Sequence, residues 1–302
     1  MTIDLEALYT DLHQHPELSF QETRTAGIAA GHLRDLGLEV HEGIGVTGVV
    51  GILRNGEGPV VWARADMDAL PVGEETGLAY ASTATGIDPA GNTVPVMHAC
   101  GHDMHVTAMI GAVEKLVAEK DDWSGTVVVL IQPAEEYGAG SRAMLDAGLR
   151  DLVPHPDVVL GQHVTPLPAG TIGVRPGTQM AASDGLTVVL HGRGGHGSRP
   201  HSTIDPVVMA AATVMRLQTI ASREVDPRDV AVVTVGSIHA GLKNNIIPAE
   251  AKLELSLRYP NDEMRDKVLA SVERIVRAEA AASGAEREPE IRTDHTLSLI
   301  HI

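Results

Sequence analysis

Cys100 is the only cysteine in 302 residues, so no disulfide can form within the chain. That scarcity suits a reducing compartment, and the cytoplasm is the expected location. Long hydrophobic runs are also missing. No segment approaches the roughly 18 apolar residues that a membrane span requires. The first twenty residues, broken by Asp4, Glu6, Asp11 and Glu17, fit neither a secretory signal nor an anchor. A membrane partner is therefore not expected. Positive charge is scarce as well: 23 Lys and Arg stand against 40 Asp and Glu, a net charge of −17. With no basic stripe to neutralise phosphates, nucleic acid is excluded as an expected partner. Internal repeats and low-complexity segments are absent too. What remains is a chain with 43% hydrophobic residues, enough to bury the core of one large or two medium domains.

Apolar residues recur at helical spacing over Leu5–His13 and Glu22–Leu36, the second ending at Gly37. Short β-rich runs follow at Thr47–Leu53 and Pro59–Ala65, then a long loop over Thr76–Val96 and an amphipathic helix over His105–Lys120. Thr126–Gln132 and Asp157–Gln162 read as buried strands flanking a short helix at Ser141–Ala147. Past Gly170 the pattern becomes strand Asp184–His191, helix Asp205–Thr219, strands Val230–His239 and Ala249–Arg258, helix Asp262–Ala282 and strand Glu286–Thr293. That β-α-β-β-α-β order is the ferredoxin-like arrangement.

The chemistry concentrates in Met97–His105, M-H-A-C-G-H-D-M-H, which holds three histidines, the lone cysteine and an aspartate. A lone buried cysteine is usually a small hydrophobe. Cys100 and His102, however, flank Gly101 and can turn toward one ion, and both are good zinc ligands. Asp66 and Asp68, Glu135 and Glu136, and His163 each follow a predicted strand end, the edge where open α/β sheets bind ligands. Of the adjacent glutamates, one can ligate a metal while the other faces a bound water as its base. A histidine at a strand end is more often structural, and His163 gains weight only from the other motifs. Asp66, Asp68, Asp103 and His105 suit ligation or the orientation of ligand imidazoles, the second being the safer assignment for Asp68, Asp103 and His105.

These residues resemble the dinuclear-metal amidohydrolases related to aminoacylase and succinyl-diaminopimelate desuccinylase, in the branch of hippurate hydrolase and the auxin–amino-acid conjugate hydrolases. The matching stretches are R-A-D-M-D-A-L-P at Arg64–Pro71, M-H-A-C-G-H-D-M-H, Q-P-A-E-E at Gln132–Glu136 and G-Q-H-V at Gly161–Val164. G-R-G-G-H-G-S-R-P-H at Gly192–His201 and N-N-I-I-P at Asn244–Pro248 match as well. The resemblance implies an α/β fold: a zinc-exopeptidase-like mixed-sheet catalytic domain with helices on both faces, plus an inserted ferredoxin-like domain. Residues 1–176 form the first, with 294–302 beginning its return segment, and 177–293 form the insert.

By the same resemblance, Cys100, His102, Glu136 and His163 bind two divalent metals, zinc or manganese first and cobalt or nickel next. Glu135 is the general base, His196 helps stabilise the oxyanion, and Asn245 and Arg258 hold the substrate carboxylate. The implied reaction is hydrolysis of N-acyl or N-aroyl amino acids by a homodimer joined through the insert. The alternatives are a dipeptidase, an N-acetyl-diaminopimelate deacetylase, or an inactive metal-binding, dimerising fragment. Family members continue well past this length and supply one more metal-binding histidine. His295 and His301 are candidates by residue type alone, and the expectation is a shortened chain with Leu297–Ile302 as candidate foreign sequence.

Overall fold

The structure, a computed structural model, describes residues 2–174, 176–177 and 181–297. The chain divides into two compact units, Met1–Thr171 and Ile172–Ile302.

In the first unit, helix α1 (Leu5–Gln14) starts where the Asp4 carboxylate accepts the Ala7 N–H at 3.0 Å. Helix α2 (Thr23–Asp35) stops before Gly37, which takes a left-handed φ of 84°. Strands β1 (Glu39–Ile44), β2 (Gly48–Asn55) and β3 (Val60–Asp66) follow, then a small hairpin of β4 (Thr85–Ile87) and β5 (Thr93–Pro95). Helix α3 (His102–Ala118), strand β6 (Gly125–Gln132), short helices α4 (Gly140–Asp146) and α5 (Leu149–Leu152) and strand β7 (Val158–Gly161) complete the unit.

The five-stranded sheet has the order β1-β2-β6-β3-β7. β1, β2 and β6 run antiparallel, whereas β3 runs parallel to both β6 and β7, so the sheet is mixed. Successive side chains of β6 point to opposite faces. Val129 and Ile131 pack with Leu12, Leu33 and Ile110 of α1, α2 and α3, while Val128 and Leu130 pack with Trp62, Met144 and Leu149. Helices therefore cover both faces, as expected. The carboxyl ends of three neighbouring parallel strands share one edge: Asp66 is level with Gln132, and Arg64 with Gly161.

Three local features depart from the sequence reading. β1 shows no apolar alternation because none of its side chains is fully buried. The expected loop over Thr76–Val96 contains the β4–β5 hairpin. Helix α3 begins at His102 rather than His105, because Gly101 supplies a left-handed cap with φ of 80° and its carbonyl accepts the N–H groups of Met104 and His105. At the far edge of the sheet, Val158, Val159 and Leu160 of β7 are 49%, 42% and 53% exposed.

The second unit contains β8 (Ala182–His191), β9 (Gly195–His196), α6 (Pro206–Thr219), β10 (Val232–Ala240), β11 (Ile246–Ile247), β12 (Glu250–Tyr259), α7 (Asp262–Ala282) and β13 (Glu290–Leu297). Its antiparallel sheet has the order β10-β12-β8-β13, the ferredoxin-like topology anticipated from the element order. Ala251, Leu253, Leu255, Leu257 and Tyr259 alternate inward along β12 and join the core formed with Met209 and Leu217 of α6 and Val268 and Val272 of α7. Strand β13 pairs with β8 as far as Leu297. Residues 294–297, expected to begin a return to the first domain, thus belong to this sheet instead. Residues 298–302, with His301, lie outside the described residues. Among the described residues no helix is long and apolar enough to cross a membrane.

Among the described residues the buried Tyr259 hydroxyl has no hydrogen-bond partner. A buried polar group left unbonded costs about 1–3 kcal/mol, so Tyr259→Phe is expected to match or exceed the parent protein in stability, by up to about 1 kcal/mol. Urea unfolding checks this; a clear loss of stability would show that the hydroxyl is bonded in solution.

Candidate metal centre

The shared edge of the parallel strands gathers most of the residues singled out by chemistry. Asp66 ends β3, with Asp68 two residues on; Glu135 and Glu136 follow β6, and His163 follows β7. Cys100 and His102 arrive at the start of α3. Glycine is required between them: a Cβ on Gly101 would lie 2.5 Å from Val164 Cγ2, and its φ is left-handed.

His102 is the hub. Three groups of potential donor atoms, each within 4.8 Å of one another, all include it: Cys100 with His163, Glu135 with Glu136, and Asp66 with His105. Its Nδ1–H donates to Asp68 Oδ1 at 3.2 Å, leaving the Nε2 lone pair free. Nε2 is fully buried and, among the described residues, unbonded, 3.6 Å from Asp66 Oδ2, 3.9 Å from Glu136 Oε1 and 4.0 Å from Glu135 Oε2. Glu136 Oε1 is likewise buried without a partner among those residues. His163 donates Nδ1–H to the Val164 carbonyl at 2.7 Å, which directs its Nε2 lone pair to within 3.3 Å of Cys100 Sγ. Both imidazoles are thus held in the tautomer that offers Nε2 to an ion.

His105 is different, because both of its nitrogens are occupied. Nδ1 bonds Asp66 Oδ1 at 2.5 Å, and Nε2 accepts the Val164 N–H at 2.9 Å. Close to two possible ligands, it serves here as a strut between β3 and the loop carrying His163. His98 is buried with neither nitrogen bonded among the described residues; burial pushes its pKa down to about 4, so the ring is neutral.

The electrostatics fit a cation. Burial, then the charges of Glu136 and Glu135, push the Cys100 thiol up to about 12, and burial with the Glu135 charge raises the Glu136 carboxyl. On His102 burial opposes charge, but the bond to Asp68 and the nearby carboxylates outweigh it and raise its pKa. Burial and the nearby carboxylates act together in these shifts, and a divalent ion would offset the carboxylate charge. A thiolate, two imidazoles and carboxylates form a donor set suited to zinc and open to other divalent ions. By donor chemistry and by the unbonded buried atoms, the residues present fit a metal.

Several supporting residues were not singled out by sequence. Ser19 donates to Asp68 Oδ2 at 2.7 Å, and the Glu136 N–H reaches the same oxygen at 3.0 Å. Asp103 turns away from the donor groups and bonds His13 Nδ1 at 2.6 Å, while His13 Nε2 meets Glu74 Oε1 at 3.1 Å. Only the histidine-rich spacing gave these partners any context; a buried serine or glutamate far along the chain carries no signal of its own.

In the second unit His196 on β9 is opposite Ile246 of β11, and the Gly197 N–H donates to the Asn245 carbonyl at 2.8 Å, so His196 and Asn245 are neighbours. The Ser198 hydroxyl and N–H both lie within hydrogen-bonding reach of His196 Nδ1, at 2.8 and 3.2 Å. Arg258 is apart from them, exposed on β12 between Val232 and Ser183.

A mixed α/β unit with metal-type donors gathered at its sheet edge, joined in one chain to a ferredoxin-like unit, defines a class of metallohydrolase architecture. The profile of peptidase family M20/M25/M40 matches residues 62–294, and the chain belongs to that family. It is 39% identical over 288 residues to thermostable carboxypeptidase 1 of Saccharolobus solfataricus, covering 94% of this chain and 70% of that protein. To the hippurate hydrolase of Campylobacter jejuni it is 38% identical over 285 residues, covering 94% and 71%. The crystal structure of the Bacillus subtilis YXEP protein, a dinuclear metal binding peptidase from the M20 family, superposes with a TM-score of 0.76 at 34% identity, covering 96% of this chain and 72% of that one.

Asp66 provides a test of the site's charge balance. Burial opposes its ionisation, yet the His105 bond and the charges of Arg64 and His102 hold its pKa at about 2, below the ordinary 3.8. A depressed carboxyl pKa means the unfolded chain binds the extra proton, so the stabilisation is present above about pH 4 and is lost as pH falls toward 2. It amounts to about 2 kcal/mol. Asp66→Asn should therefore lower stability at pH 6 and flatten its dependence between pH 4 and 2, read by urea unfolding of metal-free protein.

Proposed function

We propose that the protein hydrolyses the amide bond of N-acyl or N-aroyl amino acids, releasing a carboxylic acid and a free amino acid. The observation carrying this reading is His102: a buried imidazole locked by Asp68 with its free Nε2 turned toward Glu135 and Glu136. Hippurate hydrolase and carboxypeptidase, the names of two relatives, both describe cleavage of an amide whose nitrogen belongs to an amino acid with a free carboxylate.

Cys100, His102, Glu136 and His163 are assigned as the residues holding two divalent ions, zinc or manganese, with cobalt or nickel as substitutes. Bound there, the ions would supply Lewis acidity, polarising the scissile carbonyl and acidifying water. Glu135 is assigned to take the water's proton and return it to the leaving amine, a role supported by its position in the donor group with His102 and Glu136 and by its carboxylate being the more open of the two. Asp68 keeps His102 in its tautomer, and we assign His105 to bracing Asp66 and Val164; Asp103, expected to orient a ligand imidazole, bonds His13 instead. On the second unit, the roles assigned to His196 (oxyanion), Asn245 and Arg258 (substrate carboxylate) rest on family likeness. The neighbouring placement of His196 and Asn245 supports the roles of those two, whereas Arg258 on β12 is apart from both.

A homodimer formed through the second unit is part of the same proposal, supported by Val232 and Ile238 exposed on edge strand β10. A cytoplasmic location is supported by the single cysteine.

Glu135→Gln is expected to keep its metal content and KM while kcat on hippurate falls about 100-fold to 10,000-fold; a protein retaining full rate would remove Glu135 from the role of base. Ile238→Asp should shift the mass measured by analytical ultracentrifugation from dimer to monomer.

A further inference from the structure

Glu22 is fully buried, with 0% of its surface exposed. No cation pairs with it among the described residues. It sits at the N-cap position of α2, yet its side chain makes no capping bond to that helix. Instead the carboxylate accepts the Thr47 hydroxyl at 2.6 Å and the Ala134 N–H at 2.8 Å. A carboxylate held in the interior by hydrogen bonds alone is costly to keep, and helix capping does not explain it.

The pattern of backbone strain explains it better. Three non-glycine residues among the described residues have positive φ: Phe20 at 62°, Val46 at 88° and Ala134 at 46°. All three converge on Glu22. Phe20 is two residues before it, Val46 precedes the donor Thr47, and Ala134 is itself a donor. Such conformations persist only where the surroundings over-determine them. Ala134 is the residue immediately before Glu135 and Glu136. Its carbonyl accepts N–H groups from Ala139 and Gly140 at 3.3 and 3.1 Å, and a Cβ on Gly140 would fall 1.5 Å from the Pro133 carbonyl oxygen. The turn carrying both glutamates is therefore folded tightly back on itself, with Glu22 as its outside anchor.

We infer that Glu22 is a positioning residue, its carboxylate holding Ala134 in the left-handed conformation that presents Glu135 and Glu136 to the metal centre. The inference rests on the roles proposed above for those two residues. It does not depend on hippurate being the substrate.

The test uses the full chain carrying Glu22→Gln, Glu22→Leu, and Glu22→Leu combined with Ala134→Gly. Zinc affinity is measured by chelator competition, and kcat and KM on hippurate at saturating zinc. The glutamine amide can still accept from Ala134 and bond Thr47, so Glu22→Gln is expected within about threefold of the parent. Glu22→Leu should lose about 10-fold to 100-fold in zinc affinity and about 100-fold in kcat, with KM little changed. Glycine adopts positive φ without strain, so Ala134→Gly should restore at least about tenfold of that zinc affinity, a rescue that a merely structural role for Glu22 would not give. A folded Glu22→Leu protein with parental zinc affinity overturns the inference, as does a double variant that recovers nothing. If Glu22→Leu does not fold, Thr47→Val removes one donor to the carboxylate and should lower zinc affinity about threefold to tenfold; unchanged affinity there overturns it equally. If the parent chain leaves hippurate intact while Glu22→Leu loses zinc affinity, the proposed reaction fails and the positioning role stands.

Discussion

The bond between His102 Nδ1 and Asp68 is the constraint on which the rest of the site depends. It decides which nitrogen carries the proton and so makes the other one a ligand rather than a donor. Asp68 is fixed in turn by the Ser19 hydroxyl and by the N–H of Glu136, so a single carboxylate ties together the ends of β3 and β6 and the first turn of α3. Because Asp68 is fully buried, its alternatives to these partners are few, and the ring it holds has little freedom to turn away.

The sheet supplies the reach. Three adjacent strands run in the same direction and end at a common edge, so residues separated by about a hundred positions meet without any long-range loop having to bridge them. Around the donors a further ring of bonds uses imidazoles in a different way: His105 is bonded at both nitrogens and braces the strand against the loop that delivers His163. Two histidines three residues apart on one helix turn thus have opposite assignments, one with a free lone pair and one with none.

Most of the architecture was legible because it rests on periodicity. The apolar run of β6 and the alternation of β12 each report the number of covered faces, and the β-α-β-β-α-β order specified the second unit's sheet. β1 was illegible for the complementary reason, since a strand without buried side chains leaves no pattern. The start of α3 was misplaced because the glycine read as a flexible spacer is also the helix's cap. At the site, Cys100, His102 and the paired glutamates stood out by residue type and spacing. Ser19, His13 and Glu22 did not, because a single polar residue becomes informative only when burial removes water as its partner.

Strand β7 has a consequence for how the molecule behaves in a tube. Among the described residues no strand pairs with its outer edge, and three consecutive aliphatic side chains there are about half exposed. Such an edge is a template for adding a strand from another molecule. Concentrated solutions of this chain should thus become turbid through edge-to-edge stacking of native subunits, without prior unfolding, and a lysine placed at Val159 would be the economical way to keep them clear.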